Sequence, residues 1–183
     1  MEKDNLEVIT LGGGCFWCVE AIYQRLEGVH HVESGYSGGH VENATYEQVC
    51  GKMTGHAEVV QVHFDPSVIS LEEILEIFWY THNPTTLNRQ GNDVGPQYRS
   101  VIYYHNEKQK QIAKKSINEI APQMWDDPIV TELSPLTNYY SAEGFHQNYF
   151  NDNPGNGYCS VVVNSKVQKF RMKYANRLKS EYS

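Results

Sequence analysis

The segment that decides the local fold reads Gly12-Gly13-Gly14-Cys15-Phe16-Trp17-Cys18-Val19-Glu20. The apolar run before it, residues 6–11, predicts a short buried strand, and residues 15–26 carry apolar side chains at helical spacing. Gly28 is a stop signal for that helix. The segment therefore predicts a strand, a glycine-rich turn and a helix, with Cys15 on the first helical turn.

The position of Cys15 favours a reactive thiolate. The first turn of a helix presents unpaired backbone N–H groups and the positive end of the helix dipole, and both stabilise a negatively charged sulfur. The thiolate is the nucleophilic form of cysteine, and the three glycines leave room for a substrate to approach it. We therefore predict that Cys15 is reactive. The alternative is that Cys15 and Cys18 are small buried core residues, as free cysteines often are.

The same Cys-x-x-Cys pair can in principle hold zinc. Structural zinc needs four ligands, and the other two cysteines, Cys50 and Cys159, are isolated in the chain. The eight histidines show no His-x-x-x-His spacing, and His30 and His31 are predicted to point to opposite sides of a strand. We therefore predict no metal site.

Composition argues against several classes of partner. The 183-residue chain carries a formal net charge of −7, which repels nucleic acid and anionic membrane surfaces. It contains no run of about 20 apolar residues for a membrane span, and residues 1–5 are polar, with no signal-peptide pattern behind them. We therefore expect a cytoplasmic protein with no nucleic-acid or membrane partner. In that reducing compartment, closely spaced cysteines are catalytic or metal-binding more often than disulfide-bonded.

The rest of the chain mixes strand and helix signals without a linker. Strands are predicted at residues 56–64, 98–105, 129–133 and 158–163, helices after the capping residues Ser70 and Asn106 (the second to about residue 120) and at residues 167–178, and long loops at residues 83–97 and 151–157. This order predicts one α+β domain over residues 1–183, with a mixed sheet covered by helices.

Further blocks of sequence follow the Gly-Cys15-Phe16-Trp17 motif in a fixed order. They are Gly35-Tyr36-Ser37-Gly38-Gly39, Thr45-Tyr46-Glu47-Gln48-Val49-Cys50, Gly55-His56-Ala57-Glu58, Gln90-Gly91-Asn92-Asp93, Gln97-Tyr98-Arg99-Ser100 and His146-Gln147. Together these blocks resemble the peptide methionine sulfoxide reductase A family, and the resemblance extends from about residue 6 to residue 170.

The resemblance implies a fold and a reaction. The fold would be a ferredoxin-like α+β sandwich with long loops, and the enzyme would reduce the S epimer of methionine sulfoxide, free or in proteins. Cys15 would attack the sulfoxide sulfur and become a sulfenic acid as methionine leaves. A second cysteine would then form a disulfide with Cys15, which thioredoxin would reduce. The resemblance implies no cofactor.

The resemblance also implies a role for each matched side chain. Phe16 and Trp17 would form an apolar wall for the substrate's methyl and methylene groups. The sulfoxide oxygen needs a proton donor, and Glu58 matches the family's acid position. Four further residues would line or support the pocket: Tyr46 and Tyr98 as hydrogen-bond donors to the oxygen, and Asp93 and His146 in orienting roles.

Two cysteines are candidates for the resolving step. Cys18 lies three residues from Cys15, a separation that brings two Cα atoms on a helix within disulfide range. Cys159 follows Gly157 and Tyr158, and the resemblance places a resolving cysteine there in other branches of the family. We favour Cys18 as the resolving cysteine. The alternatives are that Cys159 resolves, or that the two act in turn, with a Cys15–Cys18 disulfide passed on to Cys159 by thiol–disulfide exchange.

Two other functions fit parts of the pattern. A Cys-x-x-Cys at a helix start is typical of thiol–disulfide oxidoreductases, although these usually carry a small pair between the cysteines and have no use for Glu58 and two tyrosines. A non-catalytic module that binds methionine-containing peptides through its aromatic residues is the second alternative.

Overall fold

The first strand and helix form where the sequence predicts them. In the computed structural model, which describes residues 5–182, strand β1 spans Glu7–Gly12 and helix α1 spans Phe16–Tyr23. Gly14 turns the chain between them with a φ of +92°, a left-handed conformation that favours glycine. Cys15 is the N-cap of α1, one position before the first turn on which it was predicted. Residues 1–4 and 183 of the predicted domain lie outside the described range.

Strand β1 lies inside a six-stranded mixed sheet. The remaining strands of the described chain, in and outside this sheet, are β2 Val29–Ser37, β3 Ala57–Phe64, β4 Arg89–Gln90, β5 Asp93–Val94, β6 Val101–Tyr104, β7 Glu132–Pro135 and β8 Tyr140–Ser141. The order in the main sheet is β7-β6-β1-β3-β2-β8, and β4 and β5 form a separate two-stranded hairpin. All pairs in the main sheet are antiparallel except β6 with β7. The α+β class with a mixed sheet is therefore confirmed.

Helices cover one face of this sheet. They are α2 Tyr46–Cys50, α3 Leu71–Thr81, α4 Glu107–Lys115, α5 Ala121–Met124, α6 Tyr149–Asp152 and α7 Asn164–Lys173. Helix α1 contacts β2 and β3, and α4 contacts β6 and β7. Alternate residues of β1 and β3 point into this helical layer, including Ile9, Leu11, Val60 and Val62. Within the described residues, no helix combines the length and apolar character needed to cross a membrane.

The opposite face of the sheet carries a smaller cluster. Val59, Val101 and Tyr103 are buried there, and Leu136 and Tyr139 of the loop after β7 pack against them. The catalytic candidates lie on the helical face, where the larger core surrounds them.

Capping residues place two helices as predicted. The Ser70 hydroxyl accepts from the Glu73 N–H at 3.1 Å and the Glu73 carboxylate accepts from the Ser70 N–H, so that α3 begins with a capping box. The Asn106 side chain accepts from the Gln109 N–H at 2.9 Å and starts α4. The helical segment after α4 runs beyond residue 120, through a π-helical turn at Ser116–Ile120 into α5.

The predicted strand at residues 158–163 is wrong, because this segment is helical. A π-helical turn at Cys159–Val163 runs directly into α7, and we call the two together the C-terminal helix, residues 159–173. The run of three valines gives the segment a strand-like composition. However, Cys159, Val163, Val167 and Phe170 recur at helical spacing, and all four are buried.

Other predicted boundaries shift. Only Val101–Tyr104 of the predicted strand at residues 98–105 is extended, because Pro96 starts a 3₁₀ turn, Pro96–Tyr98, before it. The strand predicted at residues 129–133 lies at Glu132–Pro135. The last predicted helix begins earlier and ends at Lys173. His30 and His31 are both exposed, and the pairing register of β2 shifts between Val29 and His31.

Candidate active site

The two cysteines at the start of α1 form a hydrogen-bonded pair. The Cys18 N–H donates to the Cys15 carbonyl at 3.1 Å. Both side chains are buried, with 6% of Cys15 and 1% of Cys18 exposed. All four cysteines of the chain are free thiols. The pair is therefore placed for disulfide formation without a large backbone movement.

The environment of Cys15 favours its thiol form. Burial raises the pKa of Cys15 well above its ordinary value, and the hydrogen bond with Cys18 and the negative charge of Glu58 raise it further. The same hydrogen bond lowers the pKa of Cys18. The prediction that the helix start keeps Cys15 as a thiolate is thus wrong. The loss of hydration on burial of the Cys15 sulfur outweighs the stabilisation that the helix start provides.

The Glu58 carboxyl group lies against the start of α1. It projects from β3 next to Tyr36 of β2, and its Oε1 accepts a hydrogen bond from the Phe16 N–H at 3.1 Å. A Cβ atom at Gly12 would lie 2.8 Å from the Val101 side chain and 3.0 Å from the Glu58 backbone carbonyl oxygen, so glycine permits the close packing at the end of β1. The side chain is buried, and its Oε2 has no hydrogen-bond partner among residues 5–182. Burial raises its pKa to about 8, so at neutral pH this oxygen carries a proton that it can donate.

Trp17 is held by two neighbours that are distant in sequence. Its ring stacks on Tyr149 with centroids 3.9 Å apart and planes 7° apart, and its Nε1 donates to His146 Nδ1 at 3.1 Å. Burial lowers the pKa of His146, which is therefore neutral and, because Nδ1 accepts, carries its proton on Nε2. That Nε2 is buried and has no partner in the described part of the chain.

Phe16, predicted to form part of the apolar wall for the substrate, lies inside the core. Its side chain is fully buried, and its ring lies 5.3 Å from the His146 ring and 5.6 Å from the Tyr36 ring, centroid to centroid. Tyr46 stacks at 6.2 Å. Phe16 thus supports the aromatic residues around the site from within the core.

Two tyrosines bring hydroxyl groups to the Glu58 carboxyl. Tyr46 begins α2, whose start is fixed by a capping box at Thr45. Tyr98 ends the 3₁₀ turn before β6. Burial and then the negative charge of Glu58 raise the pKa of both tyrosines, so both remain protonated donors.

Asp93 and Cys159 approach Cys18 from other parts of the chain. Asp93 Oδ2 accepts from the Tyr158 hydroxyl at 2.5 Å, and the negative charge of Asp93 acts to raise the pKa of Cys18. Cys159 is fully buried, and burial followed by the charge of Cys18 raises its pKa. The structure therefore brings the predicted site residues into one cluster around the start of α1.

Three contributors were missed by sequence reasoning. Tyr149 supports Trp17, Tyr158 binds Asp93, and Glu143 accepts from both the Tyr36 hydroxyl and the Tyr46 N–H at 2.9 Å and 3.0 Å. Tyr149 lies three residues after His146, so extending that block would have found it. Within residues 5–182, no group of three or more histidine, cysteine or acidic side chains could hold a metal ion.

The chain is similar to proteins of one family over nearly its whole length. The family model for peptide methionine sulfoxide reductase matches residues 7–178. Peptide methionine sulfoxide reductase MsrA of Saccharolobus solfataricus is 55% identical, covering 95% of this chain and 98% of the relative. MsrA 1 of Rhodopirellula baltica is 54% identical, covering 94% and 90%.

Solved structures agree with the fold. Mxr1 from Saccharomyces cerevisiae in reduced form superposes with a TM-score of 0.79 and 36% identity, covering 86% of this chain and 91% of that one. The structure of Mxr1 in complex with Trx2 gives a TM-score of 0.56 at 27% identity, covering 81% and 87%.

The pKa of Glu58 predicts a pH-dependent stability that Glu58→Gln removes. The folded state raises this pKa from its ordinary 4.5 to about 8, so folding favours the protonated carboxyl. That stabilisation is present below pH 4.5 and is lost as the pH rises through 8. Relative to wild type, the unfolding free energy of Glu58→Gln should therefore rise between pH 4.5 and pH 7, by on the order of 3 kcal/mol.

Urea unfolding of the reduced proteins at several pH values measures this difference. The matched control is Glu76→Gln, which alters an exposed carboxylate on α3 and should follow wild type at every pH. Parallel stability curves for wild type and Glu58→Gln would show that the Glu58 carboxyl is ionised in the folded protein.

Proposed function

Because this chain belongs to the peptide methionine sulfoxide reductase family, we propose that it reduces the S epimer of methionine sulfoxide, free or in proteins, to methionine. The observation that carries the proposal is the buried, protonated Glu58 carboxyl with an unpartnered Oε2 beside the Cys15–Cys18 thiol pair. We propose that one reductase domain extends over residues 1–183 and that it acts in the cytoplasm, where thiols are kept reduced.

In the first step the Cys15 sulfur attacks the sulfoxide sulfur. The sulfoxide oxygen is transferred, so that methionine leaves and Cys15 becomes a sulfenic acid. The substrate sulfur is reduced by two electrons and the Cys15 sulfur is oxidised by two. The transferred oxygen takes one proton from the acid beside it, and the proton lost by the Cys15 thiol restores that acid. No cofactor is required, because the thiol supplies the electrons.

Negative charge on the sulfoxide oxygen grows during the attack and needs donors. Glu58 Oε2 is the proton donor in this proposal, and the Tyr46 and Tyr98 hydroxyls donate hydrogen bonds to the same oxygen. Support comes from the raised pKa of each of the three groups, which keeps their protons in place at neutral pH.

The substrate's methyl and methylene groups need an apolar surface. Trp17 provides it in this proposal, with Phe16 supporting the site from the core. Asp93 and His146 orient the neighbouring groups, and the hydrogen bond between Trp17 and His146 supports that role for the histidine.

Regeneration needs a second thiol. Cys18 attacks the Cys15 sulfenic acid first, Cys159 then accepts the disulfide by exchange, and thioredoxin reduces the disulfide that results. The proximity of the Cys15 and Cys18 thiols supports this order, and the complex of the related Mxr1 with Trx2 supports thioredoxin as the reductant.

A simple assay separates this function from the alternatives. The protein is incubated with methyl p-tolyl sulfoxide and dithiothreitol, and the sulfide formed is measured. Sulfide formation is expected. Reduction of insulin without sulfide formation would identify a thiol–disulfide oxidoreductase instead, and neither reaction would identify a binding module.

Replacement of Cys15 should abolish sulfide formation. Cys15→Ser lacks the sulfur that accepts the oxygen, so its activity should fall below a few per cent of wild type. Cys50→Ser is the matched control and should keep most of the activity, because Cys50 ends α2 and takes no part in the proposed sulfur chemistry. Substantial turnover by Cys15→Ser would overturn the assignment of the nucleophile.

Glu58→Gln should bind substrate but reduce it about 10²–10⁴-fold more slowly, the usual contribution of a general acid. The wild-type rate should also fall as the pH rises through about 8, since the carboxylic acid form is then lost. Steady-state kinetics from pH 6 to pH 9 tests both points, with Glu76→Gln as control. Full activity of Glu58→Gln at neutral pH would exclude Glu58 as the donor.

Only one sulfoxide epimer should react. The site fixes the nucleophile, the oxygen donors and the apolar surface in three directions around a chiral sulfur, so one configuration alone can present its oxygen to Glu58. We expect this to be the S epimer. Chromatography of separated S and R substrates after equal incubation measures the preference, and similar rates for the two would contradict it.

A further inference from the structure

Glu20 is a buried carboxylic acid that the proposed reaction does not use. It lies on α1, one turn after Trp17, and only 2% of the residue is exposed. Its Oε2 accepts a hydrogen bond from the Asn148 N–H at 2.9 Å, whereas its Oε1 is buried and has no hydrogen-bond partner among residues 5–182. A buried carboxyl group with an unpaired oxygen is costly, because it gives up hydration that an apolar side chain would not need. The contact with Asn148 is therefore what this carboxyl group contributes.

Asn148 belongs to the segment that holds the Trp17 ring. His146 accepts the hydrogen bond of the Trp17 indole at 3.1 Å, and Tyr149 stacks on the same ring with centroids 3.9 Å apart. Asn148 lies between these two residues in the chain, and its backbone N–H is bonded to the helix that carries Trp17. Helix α1 thus contributes both the ring that is held and the carboxyl group that fixes the residue before Tyr149.

The backbone conformation of Asn148 needs a contact that holds it. Its φ of +57° lies in the left-handed region, which asparagine tolerates better than most residues but which still costs free energy. A residue keeps such a conformation where its neighbours fix it. On one side, the Gln147 amide accepts from the Ser34 N–H at 2.9 Å and donates to the Ser34 carbonyl at 2.8 Å, which ties the chain to β2. Glu20 ties it to α1.

A second side chain of the same helix also contacts Asn148, but in a different environment. Gln24, the C-cap of α1, donates to Asn148 Oδ1 at 3.0 Å in a bond that is exposed to solvent. Water can replace either partner there, so the bond contributes little to the position of the segment. The bond to Glu20 is partly buried and involves a carboxyl group, and a hydrogen bond to a carboxylate is about twice as strong as one between neutral groups.

We propose that Glu20 is a positioning residue for the substrate-binding surface: its carboxyl group binds the Asn148 N–H and thereby holds the Tyr149 ring flat against Trp17. This role rests on the proposed function and deepens it, because it identifies what fixes the surface that receives the methyl and methylene groups of the sulfoxide.

The charge on Glu20 sets the strength of this contact. Burial raises the pKa of Glu20 to about 7, although the hydrogen bond from the Asn148 backbone opposes the rise. The carboxylate form is the stronger acceptor, so the contact with Asn148 should tighten as the pH rises through about 7. The other titratable groups near Glu20 are His30, His31 and Glu33 on β2, Tyr139 in the loop after β7, Asp152 on α6, and Lys179 and Tyr182 near the C-terminal end.

The test compares Glu20→Met with Glu20→Gln. Methionine is about as long as glutamate but has no oxygen to accept from the Asn148 N–H, whereas the glutamine amide oxygen can still accept that bond. Gln24→Met, which removes the exposed bond to the same asparagine, is the matched control. Two quantities are measured on reduced protein. One is the NMR position of the Trp17 indole N–H. The other is the rate of sulfide release in a single turnover, over a range of methyl p-tolyl sulfoxide concentrations without added reductant.

The NMR signals report on each tryptophan separately. Trp17→Phe identifies the Trp17 signal, and the indoles of Trp79 and Trp125, which bond to the Ser116 hydroxyl and the Trp79 carbonyl, are internal references. In Glu20→Met, we expect the Trp17 signal to move and the two reference signals to stay in place.

The kinetics should separate substrate binding from chemistry. In Glu20→Met, the sulfoxide concentration that gives the half-maximal rate should rise about tenfold, as expected for the loss of one hydrogen bond. The limiting rate should stay close to that of wild type, because Cys15 and Glu58 are unchanged. Glu20→Gln should stay close to wild type in both quantities at pH 6, and Gln24→Met at every pH.

A pH titration tests the proposal without removing the side chain. In wild type, the Trp17 signal should titrate with a midpoint at about pH 7, and the half-saturating concentration should fall between pH 6 and pH 8. Both changes should be absent from Glu20→Gln. Burial lowers the pKa of His146, and any shift that its titration causes remains in that variant. This comparison decides the question even if Glu20→Met does not fold.

Three results would overturn the proposal. A Trp17 signal that does not move in Glu20→Met, or that titrates identically in wild type and Glu20→Gln, would show that the contact does not position the ring. Movement of all three indole signals with a lower limiting rate would show a general structural role. An equal effect of Gln24→Met would show that the buried carboxyl has no special part. If the wild-type protein released no sulfide, the proposed function would fail instead, and the NMR comparison would still test the link between Glu20 and Trp17.

Discussion

Helix α1 begins against a carboxyl group: the Phe16 N–H donates to Glu58 Oε1 at 3.1 Å, and the other arrangements in the site follow from this contact. A helix start stabilises a negative charge by about 0.3–1 kcal/mol at a surface and up to about 2 kcal/mol when partly buried. Complete burial shifts a carboxyl pKa by up to about 3–5 units, at about 1.4 kcal/mol each. Burial is therefore the larger effect, which is why Glu58 is held as an acid with a pKa of about 8.

The same comparison of burial with the helix-start effect explains why the protonation state of Cys15 was predicted wrongly while its position was predicted well. The strand, glycine turn and helix are local features, as are the caps at Ser70 and Asn106, and their signals lie within a few residues. The burial of Cys15 depends on side chains brought from β3, α2 and the C-terminal helix. The strand prediction at residues 158–163 was wrong for a related reason. The valines favour a strand locally, and only their packing against the core selects the helix.

For the site residues as well, the sequence indicated their identity but not their contacts. The matched sequence blocks located Glu58, Tyr46, Tyr98, Asp93 and His146, but no block indicated what each one touches. The role of Tyr158 could not be assigned from the sequence, since its partner Asp93 lies 65 residues away along the chain. Glu20 is similar: its Oε2 accepts from the Asn148 N–H at 2.9 Å and so joins α1 to the segment that holds Trp17.

The retention of protons by the thiols fits the proposed reaction better than the thiolate expected at a helix start. Conversion of a sulfoxide to a sulfide and water consumes two electrons and two protons, and two thiols supply both. A Cys15 with a low pKa would have lost its proton to solvent before the substrate bound. Burial instead keeps one proton on Cys15 and another on Glu58, and the attacking thiol loses its proton only as the sulfoxide oxygen becomes basic enough to take one up. Cys18 is the nucleophile of the later step, when no sulfoxide oxygen is left to be protonated, and the positive charge of Lys166 favours its thiolate.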